Sequence, residues 1–99
     1  MAENPRRLYI VTYDVTCPKR WRKVFRLMHG YGRWLQLSVF RCELTLERRD
    51  KLERALRHRL DFQTDRLIIA ELGRLPRAYA RITTLGCGER PIDHGPWIA

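Results

Sequence analysis

Along RLYIVTYD, residues 7–14, Leu8, Ile10 and Thr12 alternate with Tyr9, Val11 and Tyr13. A period of two predicts a strand. Both of its faces are largely apolar, which predicts a central strand covered on both sides or lying at a contact between copies. After Pro18 the spacing changes. Trp21, Val24, Phe25 and Met28 recur at the helical period and predict one buried stripe. Thr16 or Cys17 precedes Pro18, a residue suited to the first helical position, and Gly30 with Gly32 predicts a left-handed exit.

The β-rich stretch RWLQLSVFRCEL, residues 33–44, is long enough for one bent strand or two short ones. Thr45 then opens a second helix over about 46–60, with Leu52, Ala55, Leu56 and Leu60 inward. Glu47–Lys51, Asp50–Arg54 and Glu53–Arg57 are spaced i to i+4 with the acid first, which predicts a solvated scaffold face. DRLIIAEL, residues 65–72, has a nearly continuous apolar centre and reads as another central strand. RAYARITTLG suits a further edge strand, and GCGERPIDHG reads as loop. Trp97 and Ile98 near the C-terminus are two large apolar groups, expected to add to a partner's sheet in a dimer interface.

The order β-α-β-α-β, with its middle β segment open to division, predicts an α+β, ferredoxin-like (split βαβ) fold. Two helices cover one face of an antiparallel sheet, with C-terminal edge strands added. Ninety-nine residues suffice for one small domain, 1–99, in which 73–99 is an extension used in dimerisation.

Charge adds a direction. The formal net charge is +9, and the 20 basic residues comprise 17 arginines and three lysines. Arginine's planar fork suits phosphate oxygens, so nucleic acid is the first partner expected and an anionic surface the second. The sign is not evenly spread. From Val15 to Cys42 there are seven Lys or Arg and no acid, and Asp14 is the one acid between Glu3 and Glu43. At about 100° per residue, Lys19, Arg22, Lys23 and Arg26 share the helix face opposite the apolar stripe. Arg20 and Arg33 complete the candidate nucleic-acid-binding set. Tyr13, Tyr31, Trp34 and Phe40 are candidates for base stacking, set against a core role.

Asp14 closes the first strand just before the cationic helix, a place where ligands gather. It is read either as the maker of an Asx turn or as an oxygen ligand for Mg²⁺, which keeps several waters. One carboxylate per chain makes a thin site, and a two-fold dimer would bring two copies together. Three scattered cysteines, Cys17, Cys42 and Cys87, give no disulfide framework, and without a C-x-x-C pair zinc is not expected. No apolar run approaches the ~20 residues of a membrane span, and the opening residues do not read as a signal peptide, so a cytoplasmic protein is expected.

YIVTYDV, KRWRKVFRLMHGYG, WLQLSVFRCEL and LIIAEL, in this order over roughly Leu8 to Leu72, resemble the CRISPR-associated protein two family. The resemblance implies a ferredoxin-like homodimer and a metal-dependent (Mg²⁺) endonuclease activity on RNA or duplex DNA. It also implies an adaptor role, in which the dimer bridges the spacer integrase and holds a DNA duplex. The family's acid maps onto Asp14, preceded by Tyr13. Its basic positions map onto Lys19, Arg20, Arg22 and Lys23, and Ser38 and Phe40 match its Ser-Val-Phe. Where some relatives carry arginine two residues before the motif's glutamine, this chain has Trp34, with Arg33 adjacent. A nuclease and a non-catalytic DNA adaptor both remain open. An RNA-binding or ribonuclease-toxin module on the same fold is the alternative, and it lacks the expected Lys/Arg-Gly-Phe/Tyr stacking motif.

Overall fold

The computed structural model describes residues 5–86. The chain forms β1 (Arg7–Asp14), α1 (Pro18–His29), β2 (Arg33–Gln36), β3 (Val39–Leu44), α2 (Leu46–Arg57) and β4 (Arg66–Arg74). A 3-10 segment follows at Arg77–Arg81. The sheet is antiparallel in the order β2-β3-β1-β4. This is the ferredoxin-like arrangement expected, with the middle β segment divided into a hairpin.

Alternation in β1 separates the two layers. Tyr9, Val11 and Tyr13 enter a core with Phe40, Cys42 and Leu44 of β3, Val24 and Met28 of α1, and Leu52 and Leu56 of α2. Ile10, Thr12 and Asp14 therefore point to the opposite, open face of the sheet. Opposite them in register stand Arg41 and Val39 on β3, and Ala70, Ile68 and Arg66 on β4. Near Leu8 the 3-10 segment packs on β1 and β4, and Leu8 and Ala78 are fully buried there.

Thr45 caps α2 through its hydroxyl, which accepts from Arg48 N–H at 3.2 Å. Of the three acid-first pairs, Glu53–Arg57 closes at 2.7 Å, and Arg49 reaches the same carboxylate from one turn earlier. Cys42 fills core space, and burial pushes its thiol up to about 12.

Three expectations are corrected. LIIAEL lies on an edge strand, not a central one. Its apolar run reflects an inner face on the core and an outer face that the described residues leave open, with Ile68 49% exposed. RAYAR is a 3-10 turn, not an edge strand: β4 stays paired with β1 past the bulge at Gly73 (φ +117°) to Arg74, and Pro76, which supplies no N–H for a ladder, then leads into the 3-10 segment. Gly30 is right-handed, with φ −81°. Gly32 is small for a different reason: a Cβ there would stand 2.4 Å from Cys42 Sγ and 2.6 Å from the Arg41 carbonyl oxygen. The proposed interface residues Trp97 and Ile98 lie outside the described residues. Among the described residues no helix is long and apolar enough to cross a membrane.

Candidate nucleic-acid interface and carboxylate site

Pro18 starts α1 directly after Cys17, and the amphipathic pattern rotates Val24 and Met28 fully inward. Trp21 and Phe25 stack at 4.8 Å between ring centroids along the same buried edge. Lys19, Arg22, Lys23 and Arg26 are all exposed on the outer side. They fall within an arc of about 100°, so one polyanion can meet all four.

Arg20 and Arg33 stand apart from that set. Arg20 sits on the flank of α1, and its fork is closed on Asp65, with Nε to Oδ2 at 2.8 Å and Nη2 to Oδ1 at 3.1 Å. Nη2 also donates to Thr64 Oγ1 at 3.2 Å. The Asp65 side chain is fully buried and accepts the Asp61 N–H as well. Chiefly through Arg20's hydrogen bond, its carboxyl is held below the ordinary carboxylate range. Arg20 thus ties the start of α1 to the loop before β4. Arg33 pairs in register with Arg41, which places it on the open sheet face and not beside the α1 cations.

The family-motif residues are structural. Ser38 Oγ accepts from Trp21 Nε1 at 2.8 Å, and its carbonyl accepts from Tyr13 N–H at 3.2 Å. This joins the β2–β3 hairpin to α1 and β1. Leu37 turns the hairpin at φ +40°, and its carbonyl accepts from Trp34 Nε1 at 2.8 Å. Phe40 is fully buried and meets Phe25 and His29 edge-on. Tyr13 is 6% exposed and lies against Phe40. Burial drives the Tyr13 phenol well above its ordinary value; Ser38 lies close enough to oppose this weakly, without a hydrogen bond of normal geometry. A neutral, enclosed phenol does not act as a base at physiological pH. Tyr13 and Phe40 are therefore core groups, Trp34 packs on Phe25, and Tyr31 lies under the Arg48 guanidinium at 4.4 Å.

Asp14 behaves differently. It is exposed at the end of β1, on the sheet face opposite the helices, across from Arg66 in register. No hydrogen bond or ion pair among the described residues engages its carboxylate. A hard, accessible oxygen donor suits Mg²⁺. Among the described residues no three His, Cys, Asp or Glu side chains gather into a metal-binding group. Asp65 was the residue that sequence reasoning missed. Its partner Arg20 lies 45 positions away, and no local pattern marks such a pair.

A split βαβ sheet, an α1 outer face of one charge and a single open carboxylate at a strand end define a small basic ferredoxin-like protein. Residues 7–75 match the family described as CRISPR associated protein Cas2. The chain is 41% identical over 83 residues to the CRISPR-associated endoribonuclease Cas2 1 of Rhodospirillum rubrum, covering 84% of this chain and 81% of that protein. It is 40% identical over 85 residues to the CRISPR-associated endoribonuclease Cas2 of Geobacter sulfurreducens, covering 86% and 90%. The crystal structure of Streptococcus pyogenes Cas2 at pH 6.5 superposes with a TM-score of 0.68 at 33% identity, covering 80% of this chain and 99% of that one. The chain belongs to the Cas2 family.

Proposed function

We propose that this protein is a cytoplasmic component of a CRISPR system that handles nucleic acid as a homodimer. It binds the backbone of duplex DNA through the outer face of α1 and bridges the spacer integrase. It also hydrolyses phosphodiesters, in RNA or DNA, with Asp14 from two copies. The observation that carries the reading is the placement of Asp14. Its carboxylate stands open on a sheet face that the described residues leave uncovered, where a two-fold copy would cover Ile10, Val39, Ile68 and Ala70 and bring a second carboxylate close. The relatives named as endoribonucleases support the nuclease part.

Asp14 would hold Mg²⁺ from each side, and the ion, when bound, supplies polarisation of the phosphodiester and an activated water. The chain's own contribution is positional. The Tyr13 ring fixes the end of β1 in the core and so fixes Asp14, while Lys19, Arg22, Lys23 and Arg26 attract the polyanion.

Carriage without cleavage is the second reading, favoured by the lone carboxylate. Purified protein and Asp14→Ala, incubated with RNA and with duplex DNA with and without Mg²⁺, separate the two. Loss of Mg²⁺-dependent cleavage in Asp14→Ala with duplex binding intact is the expected result. Full cleavage by Asp14→Ala removes Asp14 from the chemistry. No cleavage by the parent protein leaves the adaptor reading alone.

A further inference from the structure

On its α2 side, the cationic face of α1 continues into a cleft. Lys23, Arg26 and Leu27 of α1 face His58 and Arg59, the two residues that follow α2, across an open space of about 460 Å³. Four of these five side chains are of basic types and none is acidic. Of the acids on neighbouring segments, Glu53 is paired with Arg49 and Arg57 and Asp65 with Arg20, while Asp61 takes only the neutral Gln63 N–H at 3.0 Å and keeps its charge. The lining itself carries no acid.

Two features suit it to a ligand. Leu27 packs against the core and gives a fixed floor. One Arg59 guanidinium N–H donates to the Ala55 carbonyl at 3.1 Å, which holds the side chain against the end of α2. Arginine has five N–H donors, so the rest of the fork remains for an anion, and a side chain already held loses less freedom on binding. The occupant is polymeric. The exposed row from Lys19, outside the cleft, to Arg26, inside it, runs about 10 Å along the helix at 1.5 Å per residue, more than one phosphate spans, so a chain that meets the row outside continues into the cleft. It is also a phosphate chain and not a protein segment. Leu27 is the one apolar group in the lining, whereas protein interfaces are anchored by apolar and aromatic centres.

The geometry points to this interhelical cleft as the seat of one phosphodiester strand, gripped by Lys23 and Arg26 from α1 and by His58 and Arg59 from beyond α2. This rests on the reading of α1 as the nucleic-acid face, and it adds a second wall. Because Asp14 opens on the opposite side of the sheet, the strand seated here is not the strand that the same chain presents to Asp14. Carriage and cleavage are then separable functions of one fold.

The test is fluorescence anisotropy with a fluorescein-labelled 20-base-pair duplex of arbitrary sequence, without Mg²⁺, over a salt series. Arg59→Gln with His58→Gln should lower the slope of log affinity against log salt by about 0.9 for each phosphate left without its cation, roughly an eightfold weakening at 0.1 M salt. Both residues are exposed, so the variant should keep its circular dichroism and Tm. Arg59→Lys should restore most of the slope. Arg54→Gln, an equal charge loss on an exposed α2 position outside the cleft, should change affinity less than twofold. A double variant that matches Arg54→Gln overturns the proposal. If Lys19→Gln with Arg22→Gln lowers the slope while the cleft variant does not, the α1 reading stands and the cleft falls. If neither lowers it, both fall. Unchanged duplex binding with weakened binding of an acidic peptide also overturns it, in favour of a protein ligand.

Discussion

Neutralising Lys19 and Arg22 together is the sharpest perturbation of the outer α1 face, because neither residue lines the interhelical cleft. Counting α1 alone, four exposed cations are available per chain: Lys19, Arg22, Lys23 and Arg26. If each neutralises one phosphate, the slope of log affinity against log salt is about −3.6, at ~0.9 per phosphate. Raising salt from 50 to 200 mM then weakens duplex binding by roughly 150-fold. With Lys19→Gln and Arg22→Gln two cations remain, the slope halves to about −1.8, and the same salt step costs only about twelvefold. Anisotropy titrations with two duplexes of unrelated sequence at four salt concentrations would measure this. The weakening should be equal for both duplexes, since phosphate contacts carry no sequence information. Arg20→Gln provides the contrast. Its fork is closed on Asp65, so it should lower the melting temperature and leave the slope unchanged. A double variant that keeps the parent slope, or an Arg20→Gln that flattens it, would refute the division of this helix into a binding face and a structural flank.

Asp65→Asn should lower Tm at neutral pH. The Asp65 carboxyl is held below its ordinary value chiefly by Arg20, so its contribution is complete above the ordinary Asp pKa of about 3.9 and is lost as pH falls through the depressed value. The parent and variant Tm curves should converge at acid pH, and parallel curves down to pH 2 would remove the pair from that role. Gly32→Ala should destabilise by roughly 1–3 kcal/mol in urea titration, because its Cβ would collide with Cys42 Sγ and the Arg41 carbonyl. Leu37→Asn should be neutral or stabilising by up to about 1 kcal/mol, since Leu37 is 69% exposed at positive φ.

The division of labour within α1 has a functional reading. Trp21 reaches inward to Ser38, Arg20 reaches sideways to Asp65, and the remaining four cations face out. The helix is fixed at two points by neutral and paired groups, so its charged face needs no internal partner. A rigid cationic row also loses little freedom when it meets a polyanion.

The sequence by itself determined the two helices, the β segments of the sheet, the apolar stripe of α1 and the cap at Thr45, while it misread RAYAR as a strand. These follow from periods of 2 and 3.6 and from local capping chemistry, which act between near neighbours. Only the tertiary structure decided which like-looking residues do different work. Arg20 and Arg22 are two positions apart, yet one is locked to Asp65 and the other is open. Arg33 ends the same run of positive charge and lies on the other face of the sheet. Tyr13 and Asp14 are adjacent, and strand alternation buries the first while exposing the second. LIIAEL reads the same whether its outer face meets its own chain or another. In each case the deciding partner comes from residues distant in the chain, and short-range periodicity carries no record of it.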